Sequence, residues 1–152
     1  MSRYLDTNDF LSVVRDTPLV SIDLIVFNEN GQVLLGQRCN KPAQGFWFVP
    51  GGRIQKDESL DEAFIRLTTE ELGFKMTRNE AKFKGVYEHF YADNFAAMSD
   101  VTTHYVVLAY QIFVSSIQVT APLVQHSKYL WKEPIQIVSD DSVHHNTRIY
   151  FE

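Results

Sequence analysis

The sequence lacks the features of a disulfide-bonded, secreted or membrane-spanning protein. Its 152 residues include one cysteine, Cys39, which excludes an internal disulfide and is typical of a reducing compartment. No apolar run approaches the roughly 20 residues that a membrane span requires. The N-terminus also lacks the apolar stretch of a secretory signal. We therefore expect a cytoplasmic protein with no membrane partner.

Basic residues are also scarce. Fourteen lysines and arginines face 19 acidic residues, so the net charge is −5. This balance argues against a nucleic-acid partner, because binding to a nucleic-acid backbone needs a broad basic surface. A single nucleotide is still compatible, since a bound cation neutralises phosphate locally. The length, the 45% hydrophobic content and the absence of repeats or linkers predict one domain over residues 1–152.

Hydrophobic periodicity predicts an α+β fold. Strands are expected where β-branched and aromatic residues are concentrated, over Leu19–Phe27, Val33–Gln37, Phe83–Tyr91, Thr102–Val114 and Tyr129–Lys132. The turn residues 28–31 make the first two strands a hairpin. Residues 92–99 are small or polar and are expected to form a loop in a position to cover a site. A short helix is expected after Pro134.

One helix is marked at both ends. Ser59 and Glu62 have the spacing of a capping box, in which each side chain satisfies a free amide at the helix start. Apolar residues then recur at helical spacing, and Gly73 supplies the permissive backbone with which helices often end. These signals predict a helix from Leu60 to Leu72.

The end of this helix carries two unfavourably placed carboxylates. At about 100° per residue, Glu71 lies on the apolar face with Phe64 and Leu67, where an unpaired charge is costly. Glu70 lies in the last turn, where the helix dipole disfavours negative charge. A solvated pair of glutamates balanced by Arg66 is one interpretation. A metal-bound phosphate is the other, because the glycines of 50–52 allow a ligand close to the backbone and Mg²⁺ prefers oxygen ligands.

The spacing of these residues resembles the Nudix box, G-x5-E-x7-R-E-U-x-E-E-x-G-U with U aliphatic. The matching positions are Gly52, Glu58, Arg66, Glu70, Glu71 and Gly73. Two positions within the helix depart from it. Leu67 replaces the glutamate after the arginine, and Thr68 replaces an aliphatic residue. In ordinary Nudix pyrophosphohydrolases the missing glutamate helps the metal site and the activation of water, so its loss puts attack on phosphorus in doubt.

Within this superfamily the chain is similar to the GDP-mannose mannosyl hydrolase branch. The likeness runs nearly end to end and includes the segments 17–21, 41–53 and 102–108. It implies an α/β/α sandwich with a mixed β-sheet, a homodimer, and dependence on Mg²⁺ with Mn²⁺ as an alternative. It also implies cleavage of the carbon–oxygen bond at the anomeric carbon of a GDP-sugar, with release of GDP and hexose.

The resemblance assigns roles around the phosphates. Arg38 is expected to contact substrate phosphate, and Arg53 to stabilise the leaving GDP with help from the Tyr105 hydroxyl. By residue type alone, either arginine is as readily an ordinary surface side chain. A guanidinium group near a phosphate site is nevertheless well suited to bidentate bonding.

The metal ligands implied by the resemblance are the Gly51 carbonyl, Glu71 and Gln125. His126, which follows Gln125, becomes the general base. By residue type alone, His126 is a surface histidine, although an imidazole titrating near neutrality suits proton removal from water.

The sugar and guanine ends have further candidates. Asp23 and His89 lie in predicted strands, where a hydrogen-bonded core polar residue is the simplest interpretation. Both match branch positions implicated at the sugar or the transition state. Phe10 is expected to stack on guanine or line its pocket, with Tyr4 and Leu5 contributing from an N-terminal segment at the dimer interface.

The expected reaction is hydrolysis of GDP-mannose or GDP-glucose by dissociative substitution with inversion at the anomeric carbon. Three alternatives stay open. One is an ordinary Nudix pyrophosphohydrolase that releases a nucleoside monophosphate and a sugar phosphate. The second is a noncatalytic nucleotide-binding module, and the third treats the carboxylates as a solvated helix end.

Overall fold

A computed structural model of the chain describes residues 4–120 and 126–152. The helices there are α1 Thr7–Asp16, α2 Leu60–Leu72, α3 Pro134–Ile137 and α4 His145–Arg148, with 3-10 turns at Arg78–Glu80 and Ser116–Gln118. The strands are β1 Leu19–Phe27, β2 Val33–Arg38, β3 Trp47–Phe48, β4 Gly51–Arg53, β5 Lys82–Tyr91, β6 Thr103–Phe113 and β7 His126–Lys132. All helices in these ranges are too short or too polar to cross a membrane.

The described strands form one mixed sheet. Its main path has the order β3-β2-β1-β6-β5, with β4 paired to β1 and β7 paired to β2. Strands β1 and β6 run parallel from Leu19 opposite Tyr105 to Phe27 opposite Phe113. The other pairings are antiparallel. The expected hairpin of β1 and β2 is present, with Phe27 opposite Val33.

Alternation along β2 builds a hydrophobic core on each face of the sheet. Leu34 packs with α2 residues such as Phe64 on one face. Its neighbours Val33 and Leu35 pack with Ile137 of α3 on the other. Successive strand residues point to opposite faces, so helices cover both sides of the sheet. The fold is α+β, as the sequence predicted.

Helix α2 has the predicted boundaries. The side chains and amides of Ser59 and Glu62 are bonded reciprocally, which confirms the capping box. Gly73 ends the helix in the left-handed region, at φ +83°. A Cβ at Gly73 would collide with the Thr120 hydroxyl, and the Thr120 amide donates to the Leu72 carbonyl at 2.9 Å. The Thr120 backbone is therefore joined to the end of α2.

Two details of the sequence interpretation were incomplete. Leu60, the first apolar residue of the predicted helix, is exposed, so the buried face of α2 begins at Ala63. Helix α1 was not predicted, although Asp6 caps it by accepting from the Asp9 amide at 2.8 Å. Its Val14 is buried against Leu19. The sequence signal for α1 is an N-cap residue followed by an apolar stripe. It was missed because this segment was considered only for its charge.

Candidate active site

A cleft of about 530 Å³ opens along β1, β4, the start of α1 and one side of α2. It collects most of the residues that the sequence singled out, although they come from distant parts of the chain. The predicted site residues that line it are Tyr4, Leu5, Phe10, Asp23, Arg38, Gly51, Arg53, His89 and Tyr105. Gln125 and the side chain of His126 lie outside the described residues, so their roles stay predictions.

The twin glycines lie where the sheet meets α2. Gly51 of β4 is opposite Asp23 of β1, and a Cβ on it would collide with the Ile22 carbonyl and lie 2.7 Å from Asp23 Oδ1. A Cβ on Gly52 would be 2.5 Å from Leu67 Cδ2. The close packing of β4 against β1 and α2 therefore depends on both glycines.

Glu71 points inward, as the helical spacing predicted. Only 4% of the residue is exposed, on the buried side of α2 that also carries Phe64 and Leu67, and Glu71 is not among the residues that line the cleft. Burial, and secondly the charge of Glu70, raise the pKa of the Glu71 carboxyl to about 7, against the opposing influence of Arg38 and Arg66. A carboxylate held in this way is stabilised by an added cation.

The donor chemistry fits a hard divalent cation. Among the described residues, no three side chains of His, Cys, Asp or Glu converge on one point. The predicted ligand set does not need such a cluster, because it uses a single carboxylate, a backbone carbonyl and an amide. Mg²⁺ commonly takes one or two carboxylates and completes its shell with water and substrate phosphate. Glu71 and the Gly51 carbonyl are the described residues that would hold it.

Arg66 organises the acidic side of the site. Its Nε lies 2.7 Å from Glu58 Oε2, its Nη2 lies 2.9 Å from Glu58 Oε1, and its Nη1 lies 3.2 Å from Glu70 Oε2. Nη2 also donates to the Arg53 carbonyl at 2.9 Å. The Arg66 hydrogen bond is the main reason that the pKa of Glu58 is lowered. Glu58 is thus engaged in an ion pair with the helix.

The two predicted phosphate-binding arginines have different surroundings. The guanidinium carbon of Arg53 lies 4.8 Å from the centre of the Phe10 ring, a cation–π contact that joins β4 to α1. Phe95, which the sequence did not single out, packs on Phe10 with ring centres 4.8 Å apart. Arg38 instead donates from Nε to the Pro42 carbonyl at 2.9 Å, so it also braces the loop after β2.

The two arginines also affect Tyr105 of β6. Burial raises the pKa of its hydroxyl, and the positive charges of Arg38 and Arg53 oppose that change. This influence agrees with the expected grouping of the three side chains.

At the floor of the cleft a hydroxyl links Asp23 to His89. Tyr150 Oη donates to Asp23 Oδ2 at 2.6 Å and lies 3.3 Å from His89 Nε2. Burial raises the pKa of Asp23 to about 7, and the Tyr150 hydrogen bond partly opposes it. Burial, with smaller contributions from His144 and His145, lowers the pKa of His89 to about 4. An isolated tyrosine near the end of a chain gave no sequence signal of this role.

The N-terminal segment reaches the acidic edge of the cleft within the same chain. Tyr4 Oη donates to Glu70 Oε1 at 3.4 Å, and Leu5 is exposed. Glu70 therefore lies between the Tyr4 hydroxyl and the Arg66 guanidinium group.

Comparison with known proteins agrees with this architecture. The NUDIX domain family matches residues 17–144, which is most of the chain. The protein therefore belongs to the Nudix family and is a Nudix hydrolase.

Particular relatives refine the comparison. The chain is 39% identical over 127 residues to the low-salt glycan biosynthesis protein Agl8 of Haloferax volcanii, covering 84% of this chain and 78% of that protein. It also resembles the crystal structure of a MutT protein from Methanosarcina mazei, with a TM-score of 0.70, 23% identity and coverage of 90% and 92%. A MutT Nudix hydrolase from Burkholderia pseudomallei gives a TM-score of 0.68, 26% identity and coverage of 90% and 97%.

Proposed function

We propose that this Nudix hydrolase cleaves a GDP-hexose, GDP-mannose or GDP-glucose, into GDP and free hexose by attack of water on the anomeric carbon. The observation that carries the proposal is the position of Leu67. Its side chain is 2% exposed, lines the cleft and lies directly against Gly52. Ordinary members of the family have a metal-assisting carboxylate at this position.

The replacement disfavours attack on phosphorus. Leu67 cannot bind a cation or orient water, and its burial against the Gly52 backbone leaves little space for a second hydrated ion. Glu58, the other box carboxylate at the helix start, is held by Arg66. The box carboxylate left for one cation is chiefly Glu71 at the helix end, because Glu70 is also bonded to Arg66 and Tyr4.

The positive groups suit stabilisation of a leaving diphosphate. Arg53 and Arg38 line the same cleft as Tyr105. These fixed donors would stabilise the negative charge that develops on the diphosphate as the glycosidic bond breaks. Stabilisation of this kind is usually the largest electrostatic contribution to catalysis. A bound Mg²⁺, held by Glu71, the Gly51 carbonyl and Gln125, would supply further neutralisation of the phosphate oxygens.

The sugar end is proposed to be the Asp23 and His89 floor. A carboxylate and an imidazole side by side are suited to vicinal hydroxyl groups, because they combine strong acceptors with a donor. The relative Agl8 is named for glycan biosynthesis, which supports a sugar-containing substrate. We assign the guanine to the aromatic wall of Phe10, with Tyr4 and Leu5 at its edge.

Water activation is assigned to His126. The support for this assignment is that its backbone, at the start of β7, pairs with Arg38, a residue that lines the cleft. Deprotonation of water by the imidazole and attack on the face opposite the diphosphate would give inversion. The expected homodimer belongs to this proposal and is tested by sedimentation equilibrium.

Hydrolysis in ¹⁸O-labelled water tests the proposal. The products expected from GDP-mannose with Mg²⁺ are GDP and hexose, with the label in the hexose. Label in phosphate, together with GMP and hexose phosphate as products, would instead establish pyrophosphohydrolase activity. The retained box residues Glu70 and Glu71 are also compatible with that activity. Binding without turnover in the presence of Mg²⁺ would reject both and favour a noncatalytic nucleotide-binding module.

A matched variant sharpens the distinction. Leu67→Glu would place a carboxylate beside Gly52, where pyrophosphohydrolases have one, and Leu67→Gln serves as its uncharged control. We expect the Glu variant to release some GMP, and the Gln variant to release none. If both variants give only hexose and GDP, the side chain at this position does not choose the bond that is cleaved.

A further inference from the structure

Tyr150 lies outside the segment that the family comparison covers, yet it contacts Asp23 and His89, which line the floor of the cleft. It lies beyond residue 144, where the NUDIX match ends. Its hydroxyl nevertheless joins Asp23 to His89, at 2.6 Å and 3.3 Å. These two residues come from β1 and β5, which are separated in the sheet by β6. One C-terminal hydroxyl thus connects two strands at the proposed hexose site.

The C-terminal turn is well anchored to this floor. The Tyr150 amide donates to the Thr147 carbonyl at 3.1 Å, which continues α4 by one turn. Thr147 is 1% exposed, and its Oγ1 accepts from the Val49 amide at 3.2 Å. Val49 lies two residues before Gly51, so the turn is attached to the segment that enters the cleft. The Tyr150 ring also packs edge-on against Tyr87, with ring centres 4.8 Å apart.

The hydrogen bonds of Tyr150 determine which donor and acceptor atoms of Asp23 and His89 remain available to a ligand. A tyrosine hydroxyl has one proton, and at 2.6 Å that proton is directed to Asp23 Oδ2. The hydroxyl oxygen then accepts from His89 Nε2, which assigns the neutral imidazole its proton on Nε2. Asp23 Oδ1 is left beside Gly51, in the lining of the cleft.

We propose that Tyr150 is a positioning residue for hexose recognition, which fixes the Asp23 carboxylate and the tautomer of His89 so that both meet the sugar hydroxyls in one orientation. This inference rests on the proposed function for the identity of the ligand. It adds a C-terminal specificity element outside the NUDIX match. Loss of the Tyr150 hydroxyl should therefore change the selectivity between hexoses that differ in the orientation of one hydroxyl. It should not change the contacts to guanine and phosphate.

The test is Tyr150→Phe, which removes one oxygen and keeps the ring that packs on Tyr87. We expect kcat/KM for the preferred GDP-hexose to fall roughly 10- to 100-fold, the scale of one lost hydrogen bond to a charged group. The preference between GDP-mannose and GDP-glucose should fall several-fold, while GDP affinity with Mg²⁺ changes less than about twofold, as expected for a positioning role. Tyr87→Phe is the matched control and should leave both the preference and kcat/KM near wild type.

A spectroscopic readout separates this inference from the proposed function. In ¹⁵N-histidine-labelled protein without ligand, His89 should give the Nε2-protonated pattern, and Tyr150→Phe should change it. An Nδ1-protonated pattern in wild type, or an unchanged hexose preference in an active variant, would overturn the role of Tyr150 while the proposed function stands. A wild-type protein that does not hydrolyse GDP-hexoses overturns the proposed function and the hexose role together, even if the tautomer is as expected.

Discussion

Arg66 and Glu58 form a two-pronged ion pair, with nitrogen–oxygen distances of 2.7 and 2.9 Å. The same guanidinium group donates to the Arg53 carbonyl, and Glu58 Oε1 accepts from the Gln55 amide at 3.0 Å. The pair therefore ties α2 to the loop that follows Arg53. Two charged residues of the box therefore support the backbone of Arg53, the residue proposed to stabilise the leaving GDP.

Arg66→Lys should weaken both the fold and catalysis. Lysine keeps the charge but cannot make the planar two-pronged bond or reach the Arg53 carbonyl at the same time. We expect a loss of about 1–3 kcal/mol in the free energy of unfolding, because the pair is largely buried. Turnover should fall by roughly tenfold or more as Arg53 loses its support. Urea unfolding and steady-state kinetics measure the two effects.

The exposed pair of Arg15 and Asp16 provides the control. Its side chains are more than half exposed, and Arg15→Lys should leave the free energy of unfolding near that of the wild type. Equal effects of the two lysine substitutions would mean that the buried geometry of Arg66 has no special importance.

Glu71→Gln should separate metal binding from folding. The amide removes a charge whose burial is costly, so the melting temperature without metal should stay the same or rise. Mg²⁺-dependent turnover should fall roughly 100-fold or more, because the proposed carboxylate ligand of the metal is lost. Added Mg²⁺ should raise the melting temperature of the wild type but not of this variant. Glu70→Gln, at a more exposed position, should retain the shift with Mg²⁺.

The twin glycines should differ in their tolerance of alanine. At Gly51 the added Cβ meets the Ile22 backbone, which cannot move without distorting β1. We expect Gly51→Ala to cost several kcal/mol, about 3 or more, and Gly52→Ala to cost roughly 1–2 kcal/mol. At Gly52 the obstacle is the flexible end of Leu67, so the double change with Leu67→Ala should recover part of the loss. Equal costs in urea unfolding would contradict this ranking.

His89 should make folding less stable in acid. Its folded pKa is about 4, below its ordinary value of 6.5, so the unfolded chain binds the proton between these values. Stability from the neutral imidazole is complete above about pH 6.5 and is lost as pH falls toward 4, by about 3 kcal/mol. Comparing His89→Gln with wild type by urea unfolding at about pH 5 and pH 7.5 isolates this contribution.

The expected result is that His89→Gln gains stability relative to wild type on acidification. Tyr150 contacts His89, the charges of His144 and His145 lower its pKa further, and Asp23 is bonded to the same Tyr150 hydroxyl. The raised pKa of Asp23 acts in the opposite direction, because its folded form binds protons in the same range. The wild-type profile alone is therefore flattened. A difference between the two proteins that does not depend on pH would refute the buried neutral imidazole.

Local signals predicted those parts of the fold that depend on neighbouring residues. The capping box and Gly73 located α2, and the run of β-branched residues located β1, both with the observed boundaries. Strands β3 and β4 were not predicted because each has only two or three residues and is defined by its partners, β2 and β1. The conformation of such short segments is determined by pairing across the sheet and not by local propensity.

The same distinction applies to the candidate site. Glu71 was identified from helical spacing alone, since an inward carboxylate contradicts the apolar pattern around it. Phe95 and Tyr150 were not identified, because each is an ordinary aromatic residue until the fold brings it to Phe10 or Asp23. The roles of Arg38 and Arg53 came from resemblance, and their grouping in one cleft is a property of the sheet order.

The contact of Gly73 with Thr120 couples two regions that are distant in sequence. Gly73 lies two residues after the buried carboxylate, and Thr120 lies six residues before the proposed base. Because no side chain fits between them, one methyl group at position 73 would push the helix end away from Thr120. Inactive variants are therefore expected well outside the cleft, at a glycine that would never touch the substrate.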